Sequence, residues 1–95
     1  GGITEAMRIA ALAASQQIKL APHMWGGAIM FAAGLQICAT APAAFIVEYS
    51  LGHNPLMHDL VAETFPVENG RIQIPDRPGL GLTIDEDFVA AHSVR

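Results

Sequence analysis

A parallel α/β architecture is the fold class this sequence predicts, and three observations predict it. Helical and extended patterns alternate as helix, strand, helix, strand over the first fifty residues, with short connections. Residues 20–47 contain no Asp, Glu, Lys or Arg, as expected of elements covered on nearly every side. Each of the two extended stretches ends in one titratable side chain, His23 in the first and Glu48 in the second.

The first helix is expected from Thr4 to Gln17. Thr4 is a plausible N-cap, Glu5 suits the first turn, and Met7, Ala10, Ala11 and Ala14 recur at helical spacing. Its many alanines suit close packing against a neighbour. "IKLAPH", Ile18 to His23, reads as a short strand with Pro22 near its end. Gly26-Gly27 makes a turn, and Ala28 to Ala41 reads as a second helix that Pro42 stops. "AFIVEYS", Ala44 to Ser50, is β-branched and aromatic and reads as a second strand. Past Leu51 the pattern becomes irregular, with at most one short helix before Phe65. Glu68-Asn69-Gly70 signals a hairpin, and a final helix from Ile84 to His92 follows an Asp85 cap.

Several function classes fall away on composition. With 52% apolar and 15% charged residues the chain is not of disordered type. A net charge of -4 and the lack of a basic cluster argue against nucleic-acid binding. The lone Cys38 excludes an internal disulfide, suits a reducing, cytoplasmic setting and reads as a small buried hydrophobe. The uncharged run is long enough to span a bilayer, but Pro42, three glycines, His23 and Gln36 interrupt it. A buried helix followed by a buried strand is the expectation, with no membrane contact.

In a parallel sheet all strand C-termini lie on one side, and that side carries the chemistry. His23 and Glu48 should therefore face a shared space. A histidine exchanges protons near neutrality, and a glutamic acid can donate to or orient an oxyanion. A satisfied histidine beside a salt-bridged glutamate explains the same letters equally well. Trp25, just inside the loop, is a candidate for lining the pocket, although packing alone would also account for it. His53 and His58 read as surface histidines rather than a metal pair. Asp59, Glu63, Asp76 and Asp85 to Asp87 read as caps, turns or solvated charges, and His92 as solvated.

The ordered pieces "GGITEA", "APHMWG", "VEY" and "IPDRPGLGL", with "NPL" between the last two, run along nearly the whole chain. In order and spacing they resemble the C-terminal end of the mandelate racemase and muconate lactonizing group of the enolase superfamily. The resemblance implies an N-terminal capping domain and a modified TIM (β/α)₈ barrel. This chain would then supply a C-terminal fragment of the barrel, from the sixth helix to the eighth strand (1–52). An irregular return segment with a β-hairpin (53–95) would pack toward the capping domain. It also implies abstraction of the proton next to a carboxylate, with the resulting enediolate held by Mg²⁺.

By the same resemblance, His23 matches the seventh-strand general base or acid. Glu48 matches the eighth-strand glutamate that hydrogen-bonds the substrate carboxylate. The metal ligands, a lysine motif and a histidine-orienting aspartate would precede Gly1, so no metal ligand is assigned in this sequence. The implied activity is acid-sugar dehydration on a small carboxylate substrate, with racemisation or epimerisation of 2-hydroxy acids as the alternative. A non-catalytic self-associating module is the competing class.

A whole barrel of this kind takes about 250 residues. A 95-residue piece should be inactive alone. It should also self-associate, because each Å² of apolar surface left in water forgoes roughly 25 cal/mol.

Overall fold

The computed structural model describes residues 1–94. Four helices and one hairpin occur among them: α1 Gly2–Ser15, α2 Ala28–Thr40, α3 Pro55–His58, β1 Val67–Glu68, β2 Arg71–Ile72 and α4 Glu86–His92. The element order matches the expected one at the helices and the hairpin, and differs at the two strands.

Helix α1 begins before the expected Thr4 cap. Gly1 is the N-cap and makes no side-chain capping bond, so Thr4 lies within the first turn. At the other end Gln17 adopts a left-handed φ of 56°. The Gln17 N–H then donates to Ala14 O at 3.0 Å and the Ile18 N–H to Ala13 O at 2.9 Å. This paired arrangement satisfies carbonyls that the helix end would otherwise leave open.

Helix α2 is apolar around nearly its whole circumference and buries Ala28, Phe31, Ala32, Gly34, Leu35 and Ile37. Such a helix is stable only when neighbours cover it on several sides. Two packing clusters do so. Phe31, Ala28, Ala32 and Leu35 join Met24, Val61 and Phe65 in the larger, while Ile37 joins Ala10 and Ala41 in the smaller. The larger cluster therefore draws on both the first fifty residues and the return segment. At 13 residues α2 is short, and no helix among the described residues is long and apolar enough to cross a membrane.

The two expected strands reduce to one parallel bridge, Leu20 to Ala44. The Leu20 N–H donates to Ala43 O at 2.7 Å and the Phe45 N–H to Leu20 O at 3.2 Å. The next rung would need an N–H from residue 22, and Pro22 has none. One rung further, the Met24 N–H donates at 2.7 Å to the side chain of Glu48 instead of to a main-chain carbonyl. The two segments thus stay side by side with a constant offset in sequence number, but a carboxylate stands in for the ladder.

In the return segment the hairpin forms as expected. Val67 pairs with Ile72 and Glu68 with Arg71, across a turn in which Asn69 and Gly70 both have positive φ. That geometry matches the right-handed twist of two-residue hairpins and favours Asn-Gly. Asp85 caps α4 by accepting from the Phe88 N–H at 2.8 Å. Ile84 does not enter the helix; it bridges Val61 instead.

Glu63 departs from the solvated role expected of it. Its carboxylate accepts from the Thr83 N–H at 2.7 Å, the Thr83 hydroxyl at 2.9 Å and Arg77 at 2.7 Å. It therefore clasps the "PDRPGLGLT" turn to the segment after α3. The Thr83 N–H, helped by the Thr83 hydroxyl and Arg77, holds the Glu63 carboxyl below the usual carboxylate range. A lowered folded-state value means that the bonded form contributes stability above the ordinary glutamate value. That contribution fades as pH falls below about 4.3 toward the folded value. Glu63→Gln is expected to lower the melting temperature at neutral pH and to flatten its fall on acidification. Melting curves of the two proteins at a series of pH values check this, and parallel profiles would refute it.

The surface is larger than a closed globule needs. The chain exposes 6838 Å², where a compact monomer of 10.1 kDa is expected to expose about 5,300 Å². Ile3, Ile9, Leu12, Ile18, Phe45 and Ile46 all stand substantially in solvent on or beside α1 and the bridged segments.

Candidate active site at the ends of the bridged segments

The site follows from the broken ladder. Past Pro22 the first segment has no further main-chain bond to the second, and Glu48 reaches back to fill the gap. One oxygen, Oε2, accepts from the Met24 N–H at 2.7 Å and lies 2.8 Å from His23 Nδ1. An ionised carboxylate only accepts, so in this pair the imidazole proton sits on Nδ1. A neutral ring so arranged presents the lone pair of Nε2 on its other side. The His23 side chain is 75% exposed and that of Glu48 39%, so the pair is open to a ligand. Glu48 Oε1 has no hydrogen bond among the described residues.

Trp25 lies beside the pair, its ring centroid 6.5 Å from that of His23 and tilted by 47°. It remains two-thirds exposed. A cleft of about 410 Å³ opens here, lined by Trp25, Glu48, Met24 and the Tyr49–Gly52 stretch. His23 is not among its lining residues and stands outside it. A larger apolar cleft, about 490 Å³, runs between α2 and the hairpin. It contains Cys38 and Arg71 but no acid–base pair. Burial pushes the Cys38 thiol up, away from nucleophile character.

All three sequence-predicted site residues therefore meet at one end of the bridged segments. One residue at this end was not foreseen. Asn54 donates from Nδ2 to Gly26 O at 3.2 Å and accepts from the Leu56 N–H at 3.0 Å. It thereby ties the loop after His23 to the start of α3. The signal was present in "NPL", an N-cap residue followed by proline at the first helical position.

His53 and His58 stack face to face at 5.4 Å, and His53 Nε2 lies 3.9 Å from Asp59. No group of three His, Cys, Asp or Glu side chains able to hold a metal ion occurs among the described residues. His92 stacks on Phe88 at 4.2 Å, with Nδ1 donating to Phe88 O.

Two extended segments run in parallel from the Leu20–Ala44 bridge and bring a histidine and a carboxylate together at one end, the arrangement of a candidate site of α/β type. The profile of the family described as "Enolase C-terminal domain-like" matches residues 1–88, and the chain belongs to that family, within its mandelate racemase/muconate lactonizing group. A crystal structure of a candidate mandelate racemase from Bordetella bronchiseptica RB50, complexed with 2-oxoglutarate/phosphate, superposes with a TM-score of 0.94 at 44% identity. The match covers 100% of this chain and 25% of that one. A D-xylonate dehydratase of Haloferax volcanii is 39% identical over 94 residues, covering 99% of this chain and 23% of that protein. A D-galactarolactone cycloisomerase of Agrobacterium fabrum is 36% identical over 95 residues, covering 92% of this chain and 25% of that protein. The chain thus spans about a quarter of the length of these relatives.

Proposed function

We propose that this chain is the part of an enolase-superfamily enzyme that brings the proton-transfer pair, His23 and Glu48, to the carboxylate substrate. On this reading α1 is the sixth barrel helix, residues 18–23 the seventh strand, α2 the seventh helix and residues 44–50 the eighth strand. Residues 1–52 then belong to the barrel and 53–95 to the return segment. The observation that carries the reading is the 2.8 Å contact between His23 Nδ1 and Glu48 Oε2 across two parallel segments.

The chemistry follows from that contact. Glu48 Oε2 fixes the ring and its Nδ1–H tautomer, and Nε2 takes the proton next to the substrate carboxylate. Having accepted it, the imidazolium lies against a carboxylate that offsets its charge. Glu48 Oε1, as an acceptor, is the oxygen left to take a hydrogen bond from a substrate hydroxyl, and Trp25 forms a wall of the adjoining cleft. Mg²⁺ supplies the charge that stabilises an enediolate in such chemistry. No ligand set for it occurs among the described residues, and its ligands would come from other parts of the enzyme.

The reaction proposed is dehydration of an acid sugar, supported by the dehydratase relative. The 44% identity to the candidate mandelate racemase favours racemisation or epimerisation of a 2-hydroxy acid as the second reading. The two differ in whether a hydroxyl leaves from the carbon β to the carboxylate. The test is to incubate the full-length enzyme carrying this segment with a panel of acid sugars. A 2-keto-3-deoxy product supports dehydration. Inversion of a 2-hydroxy acid without any keto product refutes it.

By itself the 95-residue chain is proposed to be inactive and to self-associate through the exposed faces of Ile9, Leu12, Phe45 and Ile46. Sedimentation velocity on the purified chain tests the second point, and a monomer at micromolar concentration would contradict it.

A further inference from the structure

We propose that Gly34, in the middle of α2, is a positioning residue for the His23–Glu48 pair and acts through Met24, its catalytic consequence resting on the proton-transfer reading above. Met24 joins two layers of the molecule. Its main-chain N–H donates to Glu48 Oε2 at 2.7 Å, the same oxygen that His23 Nδ1 approaches. Its side chain is 5% exposed and lies in the core against α2.

Glycine at position 34 is not explained by backbone conformation. Its φ is not in the left-handed region, and in a helix interior glycine is less favourable than alanine. Space explains it. A Cβ on residue 34 would fall far inside van der Waals contact of Met24 Sδ and 2.8 Å from Met24 Cγ. The missing side chain of α2 is thus the hollow in which the Met24 thioether rests.

The surrounding core leaves the Met24 side chain little room to swing aside, so a push on it passes to a main chain that few bonds hold. Leu20 is the last residue of its segment held by main-chain bonds to residues 43 and 45. Pro22 offers no N–H, so the stretch from Ala21 to Met24 is tied to the neighbouring segment through Glu48. Displacing Met24 therefore strains the bond that fixes the Glu48 carboxylate, and His23 is the adjacent residue. An error of about 1 Å in a catalytic group, introduced from a distance, can lower a rate on the order of a hundredfold.

The experiment follows the His23 ring by ¹H–¹⁵N NMR in the histidine-labelled chain, at about pH 8 so that the neutral imidazole reports its tautomer. The wild-type chain is expected to show the Nδ1–H tautomer with a downfield, hydrogen-bonded proton. Gly34→Ala should weaken both features. Met24→Ala keeps the main-chain N–H and should retain them, and Gly34→Ala with Met24→Ala should regain them because the colliding side chain is gone.

In the full-length enzyme Gly34→Ala should lower kcat by about tenfold to a hundredfold, with KM changing less, and the double substitution should recover most of the loss. A folded Gly34→Ala chain with wild-type His23 signals overturns the proposal. So does a double variant as impaired as Gly34→Ala alone. If Gly34→Ala does not fold, the double variant decides: folded with wild-type signals supports the coupling, and any other outcome refutes it. Because the spectra do not depend on turnover, intact coupling in an enzyme indifferent to loss of His23 would reject the proton-transfer reading and leave the Gly34–Met24 link standing.

Discussion

Replacing His23 with asparagine is expected to lower kcat/KM of the enzyme carrying this segment by about 10²- to 10⁴-fold, the usual contribution of a positioned acid–base group. Asparagine is chosen for what it keeps. Its Nδ2 can donate to Glu48 Oε2 much as the imidazole Nδ1 does, so the carboxylate and its bond from the Met24 N–H are preserved. The Nε2 lone pair is what disappears. The His23 side chain is 75% exposed and belongs to neither packing cluster. Its replacement should therefore change stability by no more than about 0.5 kcal/mol, and a thermal melt of the variant checks that. A loss confined to about threefold, with the melt unchanged, would mean that the ring is structural and the proton goes elsewhere. A rise in KM alone would instead place His23 among the substrate-binding groups.

The candidate site was legible where chemistry coincides with local grammar. His23 and Glu48 each close an apolar, extended stretch, and a parallel arrangement puts both ends on one side. The Asn69-Gly70 turn and the Asp85 cap were legible for the same local reason, because their conformational demands are met within a few residues.

The strands were over-read. "IKLAPH" and "AFIVEYS" carry strand residues, but a ladder is a property of two chains of donors and acceptors. Pro22 removes a donor just where the second rung belongs. What lay beyond reading was long-range satisfaction of polar groups. Glu63 finds Thr83 and Arg77 twenty and fourteen residues away, Asn54 finds Gly26, and Met24 finds Glu48. Each partner is an ordinary residue until the fold sets it in place. The same holds for Gly34, whose reason is the volume of a side chain ten positions earlier.

Phe31→Ala should be the most damaging single change to the fold, destabilising it by about 3–5 kcal/mol. Phe31 is the one large side chain that is fully buried among the described residues. Its ring meets Phe65 edge-to-face at 5.0 Å and Tyr49 at 5.5 Å, and such pairs add about 0.5–1.5 kcal/mol beyond the area they bury. It packs in the same cluster as Met24, Val61 and Phe65, so the cavity would open between α2, the segment carrying His23 and the return segment.

Against a total stability of about 5–14 kcal/mol for a chain of this length, a loss of that size is about a fifth or more of the whole. The large exposed surface places the isolated chain toward the lower end of that range. A 1 kcal/mol change moves Tm by roughly 4–8 °C in a domain this small, so the variant should melt more than about 12 °C below the wild type or show no cooperative transition at all. Leu56→Ala is the matched control. Leu56 is 53% exposed and lies outside both clusters, and its loss should shift Tm by only a few degrees. If the two variants melted together, α2 would not be the pillar on which both the return segment and the His23–Glu48 loop rest.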